Sequence, residues 1–385
     1  MAADQRQNPS TGIMTNSDGS LAAPMFLVAV AVALVAAGRW VWGITIGFGA
    51  LMIAVCNAAD AIEEKEKQDI RFNVMKEAEI FKVMLRWEAK YLYEYQEQKQ
   101  ESLQVKNEGR VIVLSGLGVL VRRFEEGSKS DTSALICQEA AYLAFRRFAD
   151  DDEMMIAALS NLSIIGKNEK VRERVLLEAD TFGLDALIGV LKKSLVRAKQ
   201  IQNNEELEMQ SAEVQRKGFL SLGSLSDGAK DMARLAVQEG AVEAALNAVD
   251  WFRYHADVVN WALWLIFIVI YEDPSNKVAV IQQNGVPKII EVMRNCPDRL
   301  DVARHGVAIL FDLMREDTAT CHPNRRLDIW KIRDSARTAG LHDVVLEILE
   351  TYSEASDVVM MGTELLAGTG YTKTTLPKVH IEELD

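Results

Sequence analysis

Leu21–Ala59 carries a single charged residue, Arg39, and no other stretch of the chain is comparably apolar. A membrane-spanning helix needs roughly 20 apolar residues, because about 1.5 Å of rise per residue must cover about 30 Å of hydrocarbon. Leu21–Gly38 and Trp40–Ala58 each approach that length, and Gly38-Arg39-Trp40 forms a break between them. The pattern predicts a transmembrane helical hairpin over 21–59. Arg39, Trp40 and Trp42 are expected at the membrane interface, where indoles and cations settle. Ala29, Ala33 and Ala37 recur every four residues, as do Gly43 and Gly47, a spacing that lets helices approach closely in lipid. A cleavable signal peptide fits less well, since Asp4, Arg6 and Asp18 precede the apolar run in place of a basic cluster.

After Asp60 the chain becomes densely charged. The formal net charge of −13 argues against nucleic acid as a partner. Cys56, Cys137, Cys296 and Cys321 lie far apart, with neither a disulfide framework nor metal-ligand spacing, which points to a reducing compartment. Residues 1–20 are polar and aperiodic, a composition expected to be disordered. Residues 60–106 read as one long helix with no Pro or Gly to interrupt it, charged over Ile62–Asp69 and then apolar on a broad face. Val74, Ala78, Phe81, Leu85 and Leu92 form one row and Ile80, Met84, Trp87, Tyr91 and Tyr95 another. Residues 369–385 form a polar tail.

Between these, 107–368 shows internal repetition. Ala157–Ser163 is followed by Val175–Ala179 and Gly183–Ile188. The same succession returns at Phe219–Leu225 with Ala236–Val242, at Trp261–Leu265 with Val280–Ile290, and at Val307–Leu313 with Ala336–Val345. Each copy reads as an apolar helix, a helix closed by Gly, and a second apolar helix. Gly183, Gly240, Gly285 and Gly340 stand at the turns, where a backbone free of side-chain constraint is needed. Gly109–Phe124 and Ser133–Phe148 read as two opening helices, Lys192–Glu213 as a charged insertion, and the segment around Val358–Leu366 as a closing helix.

This succession resembles the armadillo repeat, most clearly at Gln283–Met293, "QNGVPKIIEVM". The resemblance implies an all-α, right-handed α-solenoid of about four to five repeats, here following the hairpin and the long charged helix. It also implies a groove that binds a protein or peptide. Armadillo proteins that hold extended peptides often use a ladder of Asn, and sometimes Trp. Here the Asn position reads Asn161, Ser224, Leu265 and Asp312, with Trp261 and Trp264 nearby, so only one copy keeps the Asn. These six residues are the candidate groove contacts, with core packing as the alternative reading of Trp261 and Trp264, whose surroundings are apolar nearly all round.

Asp150-Asp151-Asp152-Glu153 suits a helix start better than a cation site. Gly116-x-Gly118 lacks a third Gly, since position 121 is Val121, and His322 beside Cys321 has no partner in sequence. No catalytic residue, cofactor or metal site is expected. The function expected is a membrane-anchored, non-enzymatic scaffold or adaptor with a neutral or basic protein partner and the lipid bilayer as its other contact. A structural accessory subunit of a larger membrane complex is the alternative. Lys65, Lys67 and Arg71 outnumber Arg39, which places the repeats on the cytosolic side of that membrane.

Overall fold

The computed structural model describes residues 68–98, 103–126, 129–177, 184–201, 204–315 and 328–371. Those residues are all-helical, with no strand among them. Two units are distinguished, residues 1–82 and 83–385. Of the first, residues 68–82 are described, a helical stretch in which Phe81 is buried.

The chain runs through α1 (Gln68–Gln98), α2 (Leu103–Glu126), α3 (Asp131–Arg147), α4 (Asp152–Ile165), α5 (Glu169–Leu177) and α6 (Leu184–Gln200). It continues through α7 (Glu205–Ser226), α8 (Lys230–Gln238), α9 (Ala241–Trp251) and α10 (Ala256–Glu272). A single 3-10 turn, Pro274–Asn276, leads to α11 (Lys277–Gln282) and α12 (Gly285–Asn295). Then come α13 (Leu300–Met314), α14 (Ile329–Thr338), α15 (Leu341–Thr351) and α16 (Ser356–Gly368). The helix expected over 60–106 is described as α1, and a second helix begins at Leu103.

The expectation of an integral membrane protein is corrected: no helix among the described residues is long and apolar enough to cross a membrane. The physical reason is visible in the sequence of each helix. α1, α2 and α7 have the length but carry charges along their bodies, with 31, 24 and 22 residues respectively. The most apolar helix, α10, has 17 residues, falls short of the roughly 20 required, and bears Asp257 and Glu272 near its ends. Leu21–Ala59, with Ala29, Ala33, Ala37, Arg39, Trp40, Trp42, Gly43 and Gly47, lies outside the described residues.

Within residues 83–385 the long apolar helices pack in succession: α4 on α7, α7 on α10, α10 on α13, and α13 on α16. A second succession joins α6 to α9, α9 to α12 and α12 to α15. In chain order the short helices α5, α8, α11 and α14 each stand between a helix of the first row and a helix of the second. The apolar positions that recur along the sequence are the ones buried between the rows, with Leu159, Phe219, Leu222, Ile266, Ile289 and Leu310 fully inaccessible. Each such side chain contributes on the order of 1.5–3 kcal/mol by leaving water. At the opening of the array Trp87 stacks on Phe148 at 5.5 Å and covers Gly109, where a Cβ would lie 1.8 Å from the indole.

Cations hold the ends of neighbouring helices together. Arg172 on α5 donates to the carbonyl of Gly166 at 2.8 Å, just past α4, and to those of Ser224 and Asp227 at 2.8 and 2.6 Å, at the end of α7. Arg234 on α8 pairs with Asp273, the residue that ends α10, at 2.9 Å. Lys277 on α11 reaches both the carboxylate and the carbonyl of Asp312 near the end of α13, each at 3.1 Å. The last carbonyls of a helix lack intrahelical partners, and each cation here satisfies them or the residue beside them.

The turn glycines divide. Gly240 and Gly340 are left-handed, with φ of 97° and 84°, as their role as turn formers requires. Gly285 is not the left-handed residue of its turn; Asn284 is, at φ 55° and ψ 40°. Asn tolerates that region because its short side chain can bond locally, and Gly285 becomes the first residue of α12 instead. Gly183 lies outside the described residues.

Candidate functional site

α10 is apolar nearly all round, so burial must be divided among its faces. Packing against α7 and α13 buries Val258, Ala262, Leu265, Ile266 and Val269. The side left over repeats every seven residues as Asp257, Trp264 and Tyr271, with Trp261 and Phe267 flanking it. Trp261, Trp264 and Phe267 are half-buried and Tyr271 is exposed.

The aromatic side chains are placed in two pairs. Trp261 and Trp264 meet edge to face, with ring centroids 5.3 Å apart and planes at 90°. Phe267 and Tyr271 stack at 5.8 Å and 28°. Trp264 sits over Gly223 of α7, where a Cβ would lie 2.0 Å from the ring; the absence of a side chain there makes the notch that holds the indole. Phe267 reaches across to His305 of α13 at 6.2 Å, and Phe311, one helix over, carries the Arg315 guanidinium 5.8 Å above its ring.

Of the groove residues expected from sequence, the structure brings Trp261 and Trp264 together on this face. Asn161 and Leu265 are corrected: both have no accessible surface, so they line the interior between neighbouring helices. Ser224 is likewise buried, its Cβ 3.0 Å from where a Cβ on Gly166 would stand. The reason is close approach of α4 and α7, across which the Ser221 hydroxyl donates to the Leu159 carbonyl at 2.6 Å. Neither polar atom of the Asn161 amide has a hydrogen-bond partner among the described residues. Asp312 is half-buried and held by Lys277, so it ties α11 to α13. The acidic run is neutralised locally: Asp151 caps α4 by accepting from the Met154 amide at 3.1 Å, Arg110 pairs with Asp151 and Glu153, and Arg197 with Asp152. Among the described residues no group of His, Cys, Asp and Glu is placed to hold a metal. Phe267, Tyr271 and Phe311 were not singled out by the sequence reading, although the spacing of aromatic residues at 261, 264, 267 and 271 is a one-face helical pattern.

His305 lies beside this face, its ring 6.2 Å from that of Phe267. Its Nδ1 lies 2.9 Å from the Asn260 side-chain oxygen at the α10–α13 contact. Burial pushes its pKa below the ordinary value of 6.5; Arg304 adds to that and Asp301 opposes it. A histidine depressed in the fold binds fewer protons there than in the unfolded chain. Its stabilising effect is therefore present above the unfolded pKa and lost as pH falls through about 6.5 and below. His305→Gln is expected to shrink the loss of thermal stability between about pH 7.5 and pH 5.5. An unchanged slope in paired melting curves would place the titration elsewhere.

No family model and no curated protein matches the chain. Among solved structures, a similar chain is the crystal structure of an engineered protein, 13% identical, with a TM-score of 0.47. The match covers 71% of this chain and 95% of that one. At that level the likeness carries no argument about fold or function.

Proposed function

We propose that the helical array is an armadillo-type α-solenoid serving as a non-catalytic protein-interaction scaffold, with a protein or peptide partner bound along the face of α10 and its neighbours. The succession that resembles the armadillo repeat coincides with α7–α8–α9, α10–α11–α12 and α13–α14–α15, each a long helix, a short one and a third. The observation that carries the reading is the row of Trp261, Trp264, Phe267 and Tyr271, large aromatic side chains left accessible on the most apolar helix of the array. Aromatic side chains are the commonest binding hot spots, because they bury much area at little conformational cost.

The test compares proteins copurifying with the wild type and with a Trp261→Ala, Tyr271→Ala variant. Loss of a specific partner, at an unchanged helical signal and melting midpoint, supports the scaffold. The same partners in the same amounts would sink it. A second reading, a structural accessory subunit of a larger assembly, is favoured by Trp251, Tyr254 and Trp330, which are 43%, 76% and 73% exposed on or beside other helices. For that reading the expected result is comigration with a stoichiometric complex on a native gel, disrupted by Trp330→Ala.

A further inference from the structure

We infer that the α10 face takes a proline-rich segment in the polyproline II conformation, with basic residues at its ends. The inference rests on the scaffold reading and adds the class of partner. Three observations carry it.

The first is spacing. The midpoints of Trp261/Trp264 and Phe267/Tyr271 lie between six and seven residues apart in sequence, a rise of about 10 Å along the α10 axis at 1.5 Å per residue. One turn of polyproline II advances three residues at about 3.1 Å each, roughly 9.3 Å. A segment with proline at every third position therefore presents successive prolines at the period of the aromatic pairs. A strand would repeat its side chains at about 6.8 Å, two residues at 3.4 Å, and would miss the second pair.

The second is hydrogen bonding. Polyproline II leaves its carbonyls without internal partners. The Trp261 and Trp264 indoles are half-buried and the Tyr271 side chain is 68% exposed, and no side chain of the described residues is bonded to their N–H or O–H groups. Donors on the aromatic side chains thus match a ligand that supplies acceptors, the combination by which aromatic-lined grooves hold such segments.

The third is charge. α10 contains Asp257 near its start and Glu272 at its end and no Lys or Arg. Asp257 is reached by Arg299 at 2.8 Å yet its side chain stays 67% exposed, and Glu272 accepts from the Gly228 amide at 3.0 Å. Acids at both ends of an aromatic row complement cations at both ends of an apolar peptide, and the net charge of −13 works in the same direction.

The test titrates the full-length protein, following tryptophan emission, with the peptide Arg-Pro-Leu-Ala-Pro-Leu-Ala-Pro-Arg. Two controls replace every Pro by Ala or both Arg by Glu. The proline peptide is expected to bind and to shift the emission, with each control weaker by about tenfold or more, a difference of about 1.4 kcal/mol. Tyr271→Ala should weaken the proline peptide by a similar factor; its side chain is 68% exposed, so the fold survives the change. Trp264→Ala should abolish most of the emission shift. Equal binding of the alanine peptide would overturn the polyproline assignment while leaving the scaffold reading intact. So would indifference of all three peptides in a protein whose copurifying partner still depends on Tyr271. Indifference to every peptide together with an unchanged partner set would overturn both.

Discussion

Arg172→Met is expected to lower the stability of the array by about 3 kcal/mol, a fall in melting midpoint of roughly 5 °C at about 2.1 cal/mol/K per residue for a unit of about 300 residues. The methionine keeps most of the side-chain volume and removes the guanidinium, so packing is a minor part of the change. What is lost is three charge-assisted bonds, to the carbonyls of Gly166, Ser224 and Asp227. A hydrogen bond to a charged group contributes about 1.5–3 kcal/mol, and the three share one donor group, so they do not add in full. The two helix ends are then left with carbonyls that only water can serve. Melting followed by circular dichroism checks it; a shift below about 2 °C would mean that water replaces the arginine without cost.

Gly285→Val has a comparable effect for a different reason. A Cβ there would stand 2.7 Å from Val280 Cγ1, 2.8 Å from the Val280 carbonyl oxygen and 3.2 Å from Leu246 Cδ1. The carbonyl belongs to the backbone of α11 and cannot rotate away, so the helix itself must shift. Overpacking of this kind costs about 1–3 kcal/mol, and the added β-branch brings the upper end. Asn284→Gly separates this cause from turn strain, because it relieves the left-handed residue directly and leaves the crowding untouched. Stabilisation by Asn284→Gly with loss by Gly285→Val is the expected pair; an unchanged midpoint in the second would refute the crowding.

How much of this was legible follows from what is local. The helices of the array and the glycine-closed turns at Gly240 and Gly340 can be read from apolar rows and turn residues, because both depend on neighbours within a few positions. Gly285 could be placed at its turn, but the left-handed conformation fell to Asn284; Asn-Gly offers two adjacent residues that accept it, so the local pattern does not choose between them. Asn161 looked like a surface contact because its position matches a ladder of such residues. Its burial depends on how closely α7 approaches α4, a distance set by Ser221, Ser224 and Gly166 on elements about sixty residues apart, with the Ser221–Leu159 bond spanning 62 positions. The accessible aromatic row was the reverse case: the residues were plain in the sequence, yet which side of an almost uniformly apolar helix stays open is decided by α7 and α13.

On the proposed reading of the α10 face, the notch at Gly223 bears on affinity. A free indole on a helix surface samples several rotamers and loses that freedom when a ligand arrives, an ordering cost of about 0.5–1.5 kcal/mol per side chain. Trp264 is already seated against the backbone of α7 and braced at right angles by Trp261. Its motional freedom was surrendered when the chain folded, so a partner bound there, on the proposed reading, would withdraw almost none. Gly223→Ala would push the ring out of its seat, restore that freedom to the unbound protein, and move the entropy of ordering from the folding reaction to the binding reaction.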